Sequence, residues 1–148
     1  MKALFDTSII SAYHDERQQE RMEVTREFWN SLAKYEISLS QITREELEQI
    51  NDADLRKQCL ELIEPFQILP ITNETKSLAQ LYIQAEIVPQ EYVNDALLIA
   101  TAAVHNLDSL ISWNFKHMAN LKVVSKVNAI NALSNYPRVD IVSPRELL

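Results

Sequence analysis

The chain is 148 residues long, carries a net charge of −7, and contains one cysteine and no glycine. This length sustains one domain with a core large enough to fold without a disulfide or structural metal, and the acidic balance excludes a protein that grips nucleic acid by bulk positive charge. The lack of glycine excludes the Walker loop and the Rossmann fingerprint and leaves Asn and Asp to build left-handed turns.

In chain order, Lys2–Phe5 is a short apolar run ending at the helix-capping types Asp6, Thr7 and Ser8, which reads as strand, polar turn, helix. Ile9, Ile10 and Tyr13 continue with helical spacing, and a charged face, HDERQQER, opens a second helix carrying Met22, Val24, Phe28, Trp29 and Leu32. Glu36–Ser40 alternates apolar and polar as a strand does. Thr43 is expected to cap the helix that follows, with Glu46 in the capping-box position. Leu55, Cys59, Leu62 and Ile63 form a further helix closed by Pro65, with Cys59 as a small buried hydrophobe. Phe66–Ile71 is a third strand candidate.

Thr72, Asn73 and Glu74 begin an amphipathic helix with Leu78, Leu81, Tyr82 and Ala85 on one face. Asn94 and Asp95 form an acidic turn before an almost wholly apolar helix, Ala96–Val104. Leu110–Trp113 is the fourth strand, a helix bearing Val124, Val127, Ile130 and Leu133 follows, and Val139–Val142 is the fifth strand. Strands alternating with helices imply a three-layer α/β/α domain over residues 1–148, with a mostly parallel sheet of about five strands. The longest apolar run falls well short of the roughly 20 residues that span a bilayer. Asp6 interrupts the apolar segment where a signal peptide would have its core, so a cytoplasmic location without a membrane is expected.

In a parallel sheet the strand C-termini share one edge. Asp6 follows strand one, the Glu45–Glu46 pair follows strand two by a turn of helix, Asp95 opens the central helix and Asn114 follows strand four. Carboxylates gathered without Lys or Arg repel one another unless a cation is bound. An oxygen-rich set of this kind suits Mg2+ or Mn2+, for which the natural chemistry is assisted hydrolysis of a phosphodiester. Each position also has a plainer reading: Asp6 and Asp95 as helix caps, Glu46 as a capping-box member. Joint placement is what favours a site.

Asp6-Thr-Ser, Thr43–Leu47 (TREEL), Asn94–Ala102 (NDALLIATA), Ser112-Trp-Asn-Phe and the terminal IVSPREL together resemble the PIN domain, including the VapC-type toxins of toxin–antitoxin pairs. The resemblance implies a Mg2+- or Mn2+-dependent endoribonuclease, expected to be the toxin of such a pair, dimeric and restrained by an antitoxin protein. It places Asp6, Glu46 and Asp95 as metal ligands. Asn114 stands where the family usually has a fourth acid, and would orient water or ligate through its amide oxygen. Glu46 is preferred to Glu45 because it precedes Leu47. Thr7, Ser8, Lys116 and His117 are candidate RNA contacts. The missing fourth charge keeps open a degenerate domain retained as a binding or regulatory module. Cleavage of structured DNA ranks last, since the large insertions expected for that role are absent.

Overall fold

The computed structural model describes all residues 1–148. Five strands, β1 (Lys2–Phe5), β2 (Glu36–Ser40), β3 (Gln67–Leu69), β4 (Ser109–Ile111) and β5 (Asp140–Val142), form one sheet in the order β3-β2-β1-β4-β5. Every pair is parallel. The helices are α1 (Thr7–His14), α2 (Gln19–Trp29), α3 (Gln41–Glu48), α4 (Ala53–Ile63), α5 (Asn73–Gln84), α6 (Val93–Val104) and α7 (Leu121–Leu133). None is long and apolar enough to cross a membrane.

Alternation along the strands assigns the helices to two faces, because successive side chains point to opposite sides of a sheet. In β1, Ala3 and Phe5 join Ile9, Ile10, Phe28, Leu47 and Cys59 in one core. Leu4 joins Leu78, Tyr82, Leu98, Ile99 and Val127 in the other. So α1–α4 cover one face and α5–α7 the other. α6 is buried nearly all round, with Ala96 and Leu98 to Ala103 all inaccessible or nearly so, which explains its almost unbroken apolar sequence.

The chain winds outward from β1 through β2 to β3, then crosses back to place β4 on the other side of β1. The crevice at the C-terminal ends of β1 and β4 is therefore the point where strand order reverses, the place where open α/β sheets hold ligands.

Without glycine, three helices end in the same way. Glu86, Asn106 and Asn135 have φ of 58°, 56° and 63°. After each, the next amide returns to the helix: Ile87 N–H to Tyr82 O, Leu107 N–H to Ala102 O, and Tyr136 N–H to Asn131 O, at 3.0, 2.9 and 2.8 Å. These are Schellman closures of α5, α6 and α7. Asn and Asp were the expected substitutes for glycine; Asn fills two of these positions, Asp none, and Glu86 was not expected.

Some local expectations are corrected. Ser40, not Thr43, caps α3, its Oγ accepting from Ile42 N–H at 3.1 Å; Thr43 lies inside the helix and is buried. A polar residue ending a strand takes the cap before one a turn later can. Leu81 and Leu133 fall on exposed faces, and α5 ends before Ala85. Asn94 and Asp95 sit in the first turn of α6, after a short 3-10 turn at Gln90–Tyr92, and not in a turn ahead of it.

Candidate active site

Asp6 follows β1 directly and anchors to β4 by its backbone, donating its N–H to Ile111 O at 3.0 Å. It holds the N-cap position of α1, yet its carboxylate makes no cap hydrogen bond. Oδ2 instead accepts from Ser8 Oγ at 2.6 Å and Ser112 Oγ at 2.8 Å. Only 5% of Asp6 is exposed. Burial raises its pKa, and the two hydroxyls, then the backbone of Ser8 and Thr7, oppose the rise. A carboxylate buried this deeply normally has a cationic partner. Asp6 has none among the ion pairs of the protein.

Glu46 reaches the same rim from α3. Thr7 Oγ1 lies 2.7 Å from Glu46 Oε1 and 3.1 Å from Thr43 Oγ1; with one proton to give, it donates to the carboxylate. Burial raises the Glu46 pKa, Thr7 lowers it, the Asp6 charge raises it further and the Asn94 side chain opposes. Glu45 is exposed, accepts from Gln41 Nε2 and shares a shallow depression with Glu46 and Asn94. Asp95, in the first turn of α6, is half-buried, and its pKa is pushed up to about 6 by burial first, then by the charges of Asp6 and Glu46, with Asn114 opposing. The three carboxylates are close enough to perturb one another.

Asn114 Nδ2 is 3.4 Å from Asp95 Oδ2, and its Oδ1 accepts from His117 N–H at 3.1 Å. The backbone N–H can only donate, which fixes the orientation of the amide. The expected ligand oxygen is thus already engaged in the loop, and the amide nitrogen faces Asp95. Thr7 and Ser8, candidate RNA contacts in the sequence, have committed hydroxyls; Ser8 Oγ also accepts from Trp113 N–H at 2.9 Å, tying the end of β4 to α1. Lys116 is exposed. His117 stacks on Tyr92, with ring centres 4.0 Å apart. Trp113 is 4% exposed and donates its Nε1–H to Thr25 Oγ1 at 2.9 Å, so it belongs to the core.

The donor set is hard and oxygenous, can carry up to three negative charges and lacks a counter-ion, a chemistry that suits Mg2+ or Mn2+. No group of three or more His, Cys, Asp or Glu side chains stands already closed around a metal position. Each carboxylate is drawn toward its own hydroxyl or amide donor and repelled by the others, which accounts for proximity without convergence. The largest cavity, about 600 Å3, lies elsewhere, between the end of α1 and the start of α4, with His14, Asp15, Asp52, Leu55 and Cys59 among its walls. The carboxylates line an open rim.

Sequence reading did not single out Ser112 and Asn94 as supports. Ser112 was detectable as a polar residue ending an otherwise buried strand. Asn94 carried no signal beyond its place beside Asp95.

Among solved structures, the fold is similar to a chain of the VapBC2 complex from Rickettsia felis bound to a DNA fragment from its promoter, at 14% identity and a TM-score of 0.61, covering 97% of this chain and 98% of that one. It is also similar to a chain of VapBC-1 from nontypeable Haemophilus influenzae, at 15% identity and a TM-score of 0.61, covering 98% and 99%. A chain of a toxin–antitoxin complex from Klebsiella pneumoniae aligns at 23% identity and a TM-score of 0.58, covering 82% and 93%. No curated protein sequence matches the chain. The PIN domain profile matches residues 3–120, taking in Asp6, Glu46, Asp95 and Asn114, and the chain belongs to the PIN domain family.

Proposed function

We propose that this PIN domain is a Mg2+- or Mn2+-dependent endoribonuclease and the toxin of a toxin–antitoxin pair, working as a homodimer restrained by an antitoxin protein. One observation carries the nuclease reading: three carboxylates lie near enough at the strand-order reversal to raise one another's pKa, and none is paired with Lys or Arg. The likeness of the fold to chains of toxin–antitoxin complexes supports the partner.

Asp6, Glu46 and Asp95 would hold the cation, which supplies Lewis-acid charge at the phosphate. The chain's own residues prepare that role. Ser8 and Ser112 fix the Asp6 carboxylate, Thr7 turns Glu46 inward, and the Asn114 amide holds Asp95 on the rim. Sparing water the work of orienting these groups is the contribution of a preorganised site. Metal-assisted scission of this kind is expected to be hydrolytic and to leave no 2′,3′-cyclic phosphate.

Cleavage of end-labelled RNA tests this reading. Activity should require Mg2+ or Mn2+, vanish in EDTA, be lost in Asp6→Asn and Glu46→Gln, and persist in Glu45→Gln. Loss in Glu45→Gln with retention in Glu46→Gln would reverse the assignment. A second reading, a module that has lost catalysis, is favoured by Asn114, whose amide nitrogen replaces a fourth carboxylate beside Asp95. Calorimetric titration separates the two: no Mn2+ binding at millimolar metal supports the module.

A further inference from the structure

A groove runs past Ser8, whose hydroxyl donates to Asp6. Its first stretch is walled by Ser8, Ser11, Asp15, Arg21 and Trp113. It continues into an open depression of about 330 Å3 bounded by Gln18, Glu20, Arg21, Trp113, Phe115 and Arg145, in which Glu20 is neutralised by Arg145. Arg21 and Trp113 belong to both stretches, so the groove is continuous with the hydroxyl that holds Asp6.

Arg21 projects from α2 with its guanidinium carbon 5.3 Å from the Trp113 ring centre and 5.5 Å from that of Phe115. Arg17 and Arg145, its basic neighbours, are paired with Asp15 and Glu20; Arg21 pairs with no carboxylate. The two rings meet edge to face at 6.1 Å, but their circumstances differ. Trp113 is buried and hydrogen-bonded, whereas Phe115 is 45% exposed. An exposed large ring with an unpaired cation over one face, in a chain whose net charge is −7, has the chemistry of a nucleotide site: a second π face for a base and N–H donors for a phosphate.

We propose that Phe115 and Arg21 form a base-stacking subsite for single-stranded RNA, in which a nucleobase beside the cleaved bond lies on the Phe115 ring and Arg21 donates to an adjoining phosphate. The subsite rests on the nuclease reading above and adds to it the direction in which the strand leaves the carboxylates. Trp113 sets the pose from beneath, since Thr25 and Ser8 fix its ring and backbone. Phe115 would be legible to any unpaired base, so it contributes affinity and position with little sequence preference.

The test is binding of a fluorescent single-stranded RNA to the whole protein in Ca2+ buffer, read by anisotropy, with cleavage of the same RNA in Mn2+ run alongside. Phe115→Ala should weaken binding by about 5- to 150-fold, the range of one base stack, with an unchanged melting temperature, and Phe115→Tyr should restore it. An abasic residue walked along the RNA should cost the wild type a similar factor at one position and cost Phe115→Ala nothing there. Arg21→Gln should reduce the slope of log Kd against log salt by about 0.7, one phosphate contact on a single strand. Equal affinity of wild type and Phe115→Ala, or abasic penalties that match in the two proteins, would overturn the subsite while leaving cleavage intact; a segment of a partner protein would then be the better occupant of the groove. A wild type that neither binds nor cleaves RNA would remove both the subsite and the nuclease reading.

Discussion

Replacing Asp95 with asparagine is expected to stabilise the metal-free protein at neutral pH while removing its activity. The carboxyl has its pKa raised from 3.8 to about 6 in the folded chain, by burial and by the charges of Asp6 and Glu46. Within that window the folded protein holds a proton that the unfolded chain has released, so stability falls as pH rises through it. The contribution is intact below the unfolded value and lost above the folded one. At full value the rise is worth about 3 kcal/mol; Asp95 is only half-buried, and screening by water reduces this to about 1.5 kcal/mol. For a domain of this size that corresponds to about 3–6 °C in Tm. The introduced amide would keep an oxygen for the Asn114 side chain, so the substitution removes charge without orphaning a donor. Thermal unfolding in EDTA, followed by circular dichroism, should show Asp95→Asn melting above wild type at pH 7.5 and level with it near pH 3.5. A variant that melts at or below wild type at pH 7.5, or one whose advantage is the same at both pH values, would refute the reasoning.

Cation and proton compete for Asp95, so the Mn2+ affinity of the wild type, measured by calorimetry, should fall about tenfold between pH 7 and pH 5; a flat profile would count against Asp95 as a ligand. Asn114→Asp adds a fourth carboxylate while preserving an acceptor for His117 N–H, and should lower the metal-free Tm and tighten Mn2+ binding about fivefold, the equivalent of about 1 kcal/mol for an added charge in a wet site. Glu86→Gly should stabilise the protein by about 0.5–1 kcal/mol in urea unfolding, since only glycine takes the left-handed closure of α5 without steric cost.

The order of strands and helices was readable because the apolar pattern changes period at each boundary, and the three acids stood out because Asp6 follows a strand, Glu46 lies a turn or more into the next helix and Asp95 opens the apolar helix. What escaped was contact between elements. Nothing in Thr7 or Ser8 announces that one orients Glu46 and the other binds Asp6 and Trp113 together; those roles exist only once α3 and β4 lie beside α1. Arg21 was similarly hidden inside a charge run that reads as solvated surface, and its lack of a carboxylate partner is a property of the packed molecule. The cap of α3 was misplaced because Thr43 matches the capping-box pattern as well as Ser40 matches a strand end. Asn114 shows the same limit on a finer scale: its identity was plain from the sequence, while the direction of its amide depends on the His117 N–H.

The most direct test of the account is RNA cleavage by wild type and Asp95→Asn side by side in Mn2+, with folding verified in the same preparations. The variant should be folded, and more stable without metal, yet slower in cleavage by about two to three orders of magnitude, the scale of losing one group that preorganises charge at the reacting centre. Cleavage by Asp95→Asn at the wild-type rate would contradict it.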